Sequence, residues 1–425
     1  MVPFIDGWDH FFERQPLKDY LKMAKLGNFT EKNNLPLQGI KVIEVAEGAA
    51  GPFAGRLFAA FGADVIKVER PPIGDWSRAR GPFIPSSSEQ EVSSLYLFNN
   101  TGKKSVLLDW LTPQGMSTLE VLIKKSDIFI EDWDVPFRKK ENSNIQKFTE
   151  ISQDLIEISI TPFGLSGPYC EWKSTEIIEL ALGGFLYLTG QMDREPIVTP
   201  GQLPAYAAGL NAYSSALIAL HERMETGNGH FLETSILETL ATMHQFTSVM
   251  ETFFGLVRTR HGHRWESKAP FDNYPNMLLP CKDGYIYWSP SSDSQWELLS
   301  LMIKRPDLIT DQRFLDGTKR RQNAEAIDEI LVNWSRQRTK YEIFEEAANN
   351  WGLICGPLLT LEEVRKDQQY KLRGLFKKID HPTIGIAEYP TFPYRMSRTQ
   401  PRLNRAPLLG EHTKQVLSNT HATHA

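Results

Sequence analysis

Apolar residues along the chain switch between two periods, and the switching predicts alternating strands and helices. Ile40–Val45 is a short apolar run, small residues and Gly51-Pro52 follow, Phe53–Phe61 suits a helix, and Asp64–Val68 is a second short apolar run. Two strands joined through a helix pair in parallel, so the pattern reads as βαβ. A second cycle runs through Ser105–Leu108, a helix after Thr112-Pro113, and Asp127–Ile130, with a further strand at Leu155–Ile160. Ala207–Leu220 predicts a long helix rich in Ala, Ser and Gly, whose small side chains permit close approach of a neighbouring domain or subunit. After about residue 260 the character changes. Asp283-Gly284 joins the strand-like stretches Asn276–Leu279 and Tyr285–Trp288, while Gln295–Ile303 and Arg321–Trp334 have helical spacing. Before the first strand, Phe11–Met23 predicts a leading helix, and the tail after His412 reads as loose.

Composition narrows the class. The chain has 425 residues, 41% of them hydrophobic and 23% charged, with a formal net charge of −5, which gives no electrostatic reason to expect nucleic acid or an anionic membrane as partner. Its three cysteines, Cys170, Cys281 and Cys355, lack paired spacing, so neither a disulfide framework nor a zinc knuckle is indicated and a reducing, cytoplasmic setting fits. The N-terminus lacks the basic and apolar regions of a signal peptide, and no apolar run approaches the roughly 18 residues of a membrane span.

Several stretches together resemble the family III CoA-transferases, the CaiB/BaiF or carnitine and bile-acid type. They include Leu37-Gln-Gly-Ile-Lys-Val-Ile-Glu-Val45, Gly51-Pro52, Phe61-Gly-Ala-Asp-Val-Ile-Lys-Val-Glu-Arg-Pro71 and Gly74-Asp75. Ser159-Ile-Thr-Pro-Phe-Gly-Leu-Ser-Gly-Pro-Tyr169, Thr226-Gly227-Asn-Gly229, Cys355-Gly-Pro357 and Ala406-Pro-Leu-Leu-Gly-Glu-His-Thr413 keep the pattern in order. The resemblance implies an α/β fold with a Rossmann-like large domain, a small α+β domain and an interlocked dimer. It sets expected boundaries at 1–36 for an N-terminal extension, 37–260 for the large domain, 261–370 for the small one and 371–425 for a segment returning to the large domain. The implied reaction uses a carboxylate that attacks an acyl-CoA thioester to give a mixed anhydride. The departing CoA thiolate reopens it, leaving CoA on the enzyme for transfer to an acceptor acid.

The resemblance also implies a nucleophilic Asp opening the Ala-rich helix in a Gly-Asp-x-x-x-Gly pattern. Here the position carries Ala205, and there is no Asp or Glu between Glu195 and Glu222. A methyl group has no lone pair with which to attack a thioester. Glu176 aligns with a second acidic position and is either a substitute nucleophile or an inherited helix N-terminal acid capped by Ser174 or Thr175. The α-proton exchange of the family's racemases needs an acid and a base on opposite faces, and their His and Asp positions are Thr175 and Ala205. The implied CoA pocket takes in Arg70, Ala49, Leu108, Asp132 and Trp133. Arg70 is retained, with pairing to Glu69 or Asp64 as its alternative role. Three other positions differ from the family in ways that weaken CoA binding: Leu111 for a phosphate-meeting Lys, Asp132 for an Asn, and Ala49 for a Gln.

Scaffold retention without the nucleophile resembles the heteromeric succinyl-CoA:(R)-benzylsuccinate CoA-transferases of anaerobic toluene degradation, where one subunit carries the Asp and its homologue does not. The expected function is therefore the non-catalytic subunit of such a transferase, partnered by an Asp-bearing homologue. CoA or an acyl-CoA is then a substrate, with no metal. A stand-alone transferase or lyase using Glu176, and a catalytically dead homodimer that binds CoA esters, are the alternatives. Two further features are read on their own terms. Arg258-Thr-Arg260-His261-Gly-His263-Arg264 is the densest basic cluster and suits a phosphate or dicarboxylate, or else a solvated loop or interchain salt bridges. Trp133, Trp288 and Trp296 suit an aryl pocket or core packing.

Overall fold

The computed structural model describes residues 35–85, 92–140, 148–265, 274–290 and 292–421, so the predicted leading helix lies outside the described residues. The fold is mixed α/β with parallel strands, as expected. Two compact units divide the chain: Met1–Val45, Ala54–Phe129 and Lys377–Ala425 form the first, and Ala46–Phe53 with Ile130–Phe376 the second.

In the first unit, β1 (Lys41–Glu44), β2 (Asp64–Glu69) and β3 (Lys104–Leu107) run parallel in the order β3-β2-β1, with Lys41 opposite Asp64 and Ile66 opposite Lys104. Val42, Val65, Val68 and Val106 are buried, the pattern of strands covered on both faces. Helix α1 (Ala50–Ala60) links β1 to β2, and α2 (Pro113–Ile123) follows β3 with Thr112 capping it through a 3.0 Å bond from the Gly115 N–H. The late segment returns to β3: His412 N–H donates to the Ser105 carbonyl at 2.9 Å, and Leu107 N–H to the Thr413 hydroxyl at 2.9 Å. Beyond it, Thr413–His421 is a helix, which corrects the expectation of a loose tail. Those two anchoring bonds fix its first turn, a tertiary tie that the polar local sequence does not disclose.

The strand β4 spans Ile128–Glu131, its first two residues assigned to the first unit and its last two to the second. In the second unit, β5 (Ile156–Thr161) pairs in parallel with β6 (His230–Ser235), a strand the sequence pattern did not reveal. Between them come α3 (Glu176–Leu182) and α4 (Leu203–Thr226), and after β6 come α5 (Ile236–Thr242) and α6 (Gln245–Phe254). Helix α4 starts four residues before the predicted one and ends at Gly227, whose φ of 74° provides the left-handed stop. Later in this unit an antiparallel sheet in the order β9-β8-β7 is made by β7 (Met277–Cys281), β8 (Gly284–Trp288) and β9 (Cys355–Pro357). Its core gathers Met277, Leu279, Ile286, Trp288, Trp296 and Phe314 with Leu299 of α7 (Asp293–Met302) and Ile327 and Leu331 of α8 (Ala324–Ser335).

Candidate functional site

At the end of β2 the first unit holds a dense set of buried charges. Strand alternation puts Lys67 and Glu69 on one face. Lys67 pairs with Glu44 at 3.0 Å and Asp75 at 2.8 Å, and Lys103 reaches Glu44 at 2.8 Å, all at no more than 1% side-chain exposure. Burial drives the Lys103 ammonium down to about 8 against the pull of Glu44. For Lys67, burial also acts downward, but Asp75, Glu44 and Glu69 together hold it well above the ordinary lysine value. Next to this set, Glu69 accepts from Arg78 at 2.7 Å and from the Ser105 hydroxyl at 2.6 Å, and Ser105 Oγ accepts from the Gly410 N–H at 2.8 Å. Asp75 N–H donates to Glu69 Oε2 at 3.0 Å, so the Arg70–Asp75 turn is tied to the strand it leaves.

That turn carries Arg70. Glu69 is taken by Arg78 and Asp64 by Lys104 at 2.7 Å, which overturns the alternative pairing considered for Arg70. The half-buried guanidinium lies 5.6 Å from the centre of the Trp110 ring instead. Leu108, two residues earlier, is anchored by its N–H to the Glu69 carbonyl at 2.9 Å. Leu111 is 40% exposed, a hydrocarbon side chain at the start of α2 where the resemblance implies an ammonium.

The second unit places the remaining candidates. Ala49 is buried just before α1, and its carbonyl accepts from the Phe53 N–H at 2.8 Å. Asp132 accepts from the Glu47 N–H at 2.9 Å, so its carboxylate orients the same segment. Trp133 is 6% exposed, with its ring centre 5.7 Å from that of Phe137 and 6.1 Å from that of Phe148, so it packs as core. Glu131, at the end of β4, accepts from the Trp133 N–H at 2.7 Å and pairs with Arg138 at 2.5 Å. Glu157 on β5 is fully buried, and burial followed by the charge of Glu131 pushes its carboxyl up to about 7.

Helix α4 opens with Pro204 buried and Ala205 half-buried in its first turn. A Cβ on Gly209 would overlap the Ala50 carbonyl oxygen, and the Phe53 and Tyr206 rings meet edge-on at 4.9 Å. The structure therefore brings the Ala49–Phe53 segment onto the first turns of the helix that bears Ala205. Glu176 is the first residue of α3, which packs against α4. Thr175 occupies the cap position of α3, but its side chain makes no capping bond, and Ser174 Oγ donates to the Thr175 carbonyl at 3.3 Å, so the predicted side-chain cap is absent.

Other candidates fall away from chemistry. Cys281 and Cys355 are half-buried thiols that burial pushes up to about 11, far from a reactive thiolate. Among the described residues no group of three His, Cys, Asp or Glu is placed to hold a metal ion, and no helix is long and apolar enough to cross a membrane. Trp288 and Trp296 belong to the core around β7–β9. Sequence reading missed the Glu44–Lys67–Lys103–Asp75 set, although charged residues at alternate positions of an apolar strand were its visible sign.

Comparison with known proteins points the same way along most of the chain. The model of CoA-transferase family III matches residues 37–413. A succinate–glutarate CoA-transferase of Agrobacterium fabrum is 28% identical over 90% of this chain and 95% of its own. A formyl-CoA:oxalate CoA-transferase of Bradyrhizobium diazoefficiens is 29% identical over 90% of this chain and 92% of its own. The crystal structure of a CAIB/BAIF family protein from Brucella suis superposes with a TM-score of 0.81 at 29% identity, covering 91% of this chain and 100% of that one.

Proposed function

The chain belongs to CoA-transferase family III, and we propose that within this family it is the subunit without the nucleophile, working beside an Asp-bearing homologue. The observation that carries the reading is Ala205, an inert methyl in the first turn of α4. Leu111 supports it, because an exposed leucine offers a CoA phosphate no charge. In this reading the partner's Asp attacks the acyl-CoA carbonyl and the thiolate leaves; the thiolate then attacks the Asp-side carbonyl of the anhydride, expelling the donor acid as its carboxylate and leaving CoA on the partner as a thioester. The present chain supplies fold and cavity wall, since interlocked chains depend on each other for stability. The donor is an acyl-CoA such as succinyl-CoA and the acceptor an organic acid such as benzylsuccinate. Similarity to transferases of glutarate and oxalate supports an acid as acceptor.

Intact-mass spectrometry of the isolated chain after incubation with succinyl-CoA tests this directly. The expected result is no covalent acyl or CoA adduct, whereas Ala205→Asp is expected to acquire one. Co-expression with an Asp-bearing homologue is expected to give a mixed oligomer whose transfer activity disappears when that Asp becomes Asn. Adduct formation on the unmodified chain would overturn the reading. The position of Glu176 at the start of α3, packed on α4, favours a second one, in which Glu176 replaces the Asp. Turnover by the chain alone that is lost in Glu176→Gln would establish that alternative.

A further inference from the structure

The turn between α4 and β6 has room only for glycine at position 229, where a Cβ would lie 1.9 Å from the Leu155 carbonyl oxygen. That requirement brings a chemical liability, because the residue before it is Asn228 and the two form the sequence's single Asn-Gly pair. An unhindered glycine nitrogen attacks the side-chain carbonyl carbon of a preceding Asn. The side-chain NH2 leaves as ammonia with the proton that the backbone nitrogen gives up, and the five-membered succinimide takes up water to open as Asp or isoAsp. Asn228 is exposed, so water reaches it freely. Both reacting groups are nevertheless engaged in the folded chain. Gly229 N–H donates to the Gln153 carbonyl at 2.7 Å, and the Asn228 side-chain oxygen accepts from Gln153 Nε2 at 2.8 Å. Asn228 N–H donates to the Thr226 hydroxyl at 3.2 Å, and His230 N–H donates to the Leu155 carbonyl at 3.1 Å, where the pairing of β5 with β6 begins. Gln153 thus holds the nucleophile with its main chain and the electrophile with its side chain. The Asn228 carbonyl cannot swing onto the Gly229 nitrogen without giving up its own bond.

We propose that Asn228 is a deamidation site gated by Gln153, closed while the turn is docked and converted only when the turn lifts from the segment that leads into β5. The rate of conversion is then that of an unconstrained Asn-Gly pair multiplied by the fraction of time the turn is open. The product is permanent. IsoAsp adds one carbon to the main chain just ahead of β6, which puts His230 out of step with Leu155. Either product also places a negative charge beside the last turn of α4, which already carries Glu222 and Glu225. A transient local opening therefore leaves a covalent record. This site is separate from the question of the nucleophile and needs neither a CoA ester nor a second chain.

Peptide mass mapping of the full-length chain tests it after incubation in mildly alkaline buffer, with and without guanidinium chloride at an unfolding concentration. Conversion is read as a gain of about 1 Da in the peptide that holds Asn228. The unfolded chain is expected to convert at least about tenfold faster than the folded one. Asn228→Gln is expected to show no such gain even when unfolded, which assigns the change to this residue. Gln153→Ala frees the Asn228 side chain but keeps the main-chain bond of Gly229, and while folded it is expected to convert about threefold faster than the unmodified chain. Gln153 is exposed, so the unfolding midpoint of that variant should match the unmodified chain and the faster conversion should reflect the turn alone. If Gln153→Ala fails to fold, the folded and unfolded rates of the unmodified chain still decide the matter. Equal rates in those two states, a gain of mass in unfolded Asn228→Gln, or a folded Gln153→Ala that converts no faster than the unmodified chain would each overturn the proposal. None of these outcomes bears on the adduct test at Ala205, so the two readings fail separately.

Discussion

In the first unit Glu44, Lys67, Lys103 and Asp75 meet one another at no more than 1% side-chain exposure, whereas the core around β7–β9 in the second unit is made of Leu279, Ile286, Trp288, Leu331 and their neighbours. The two regions are held by opposite physics. Charges out of water persist only when each finds its counter-charge in close geometry, so that region tolerates little change in any member. An apolar core depends on area and shape, and loses stability in proportion to the volume removed. The contrast also separates roles: the charged set ties down the turn that carries Arg70, while the apolar core lies away from Ala205 along the sequence.

The largest effect should come from Glu44→Gln, which leaves two buried ammonium groups without their shared anion. Urea unfolding is expected to show a loss of about 3–5 kcal/mol. Leu279→Ala in the apolar core should cost less, roughly 3 kcal/mol, because its neighbours relax partly into the space. If Leu279→Ala proves the more damaging of the two, the contrast between the regions is wrong. Glu157→Gln sharpens it through pH. The folded carboxyl titrates near 7 and the unfolded one near 4.5, so below 4.5 both states are protonated and no stability is lost. As pH rises from 4.5 to about 7 the unfolded chain gives up this proton first, and stability falls until the folded pKa is passed. Unfolding midpoints of Glu157→Gln should lack that decline relative to the unmodified chain. The smallest change is expected for Glu362→Gln, whose pair with Lys366 is more than 70% exposed on both sides, and a melting scan should show no resolvable shift.

How much of this was legible in the sequence depended on whether the cause was local. β1 and β2 could be read directly because strands buried on both faces are short apolar runs. The Asp283-Gly284 hairpin was legible from its turn chemistry. The start of α4 was not, since Leu203-Pro204 looks like loop until one sees that Pro is well suited to the first helical turn. The partner of Glu69 was also hidden. Adjacency suggested Arg70, but Arg78, nine residues on, reaches it across the turn that Asp75 anchors. Of the candidate site, the identity of Ala205 is a sequence fact, whereas the approach of Ala50 to Gly209 and of Phe53 to Tyr206 needed the tertiary fold.

The bond from Gly410 N–H to Ser105 Oγ, with His412 and Thr413 on the same strand, has a bearing on biogenesis. A ribosome must deliver almost the whole polypeptide before β3 acquires these partners, about 300 residues after the strand itself emerged. The core between Tyr274 and Leu353 is contiguous and can close while synthesis continues. Nascent chains should therefore protect the later-made core from protease before the earlier-made sheet, reversing the order in which the two were translated.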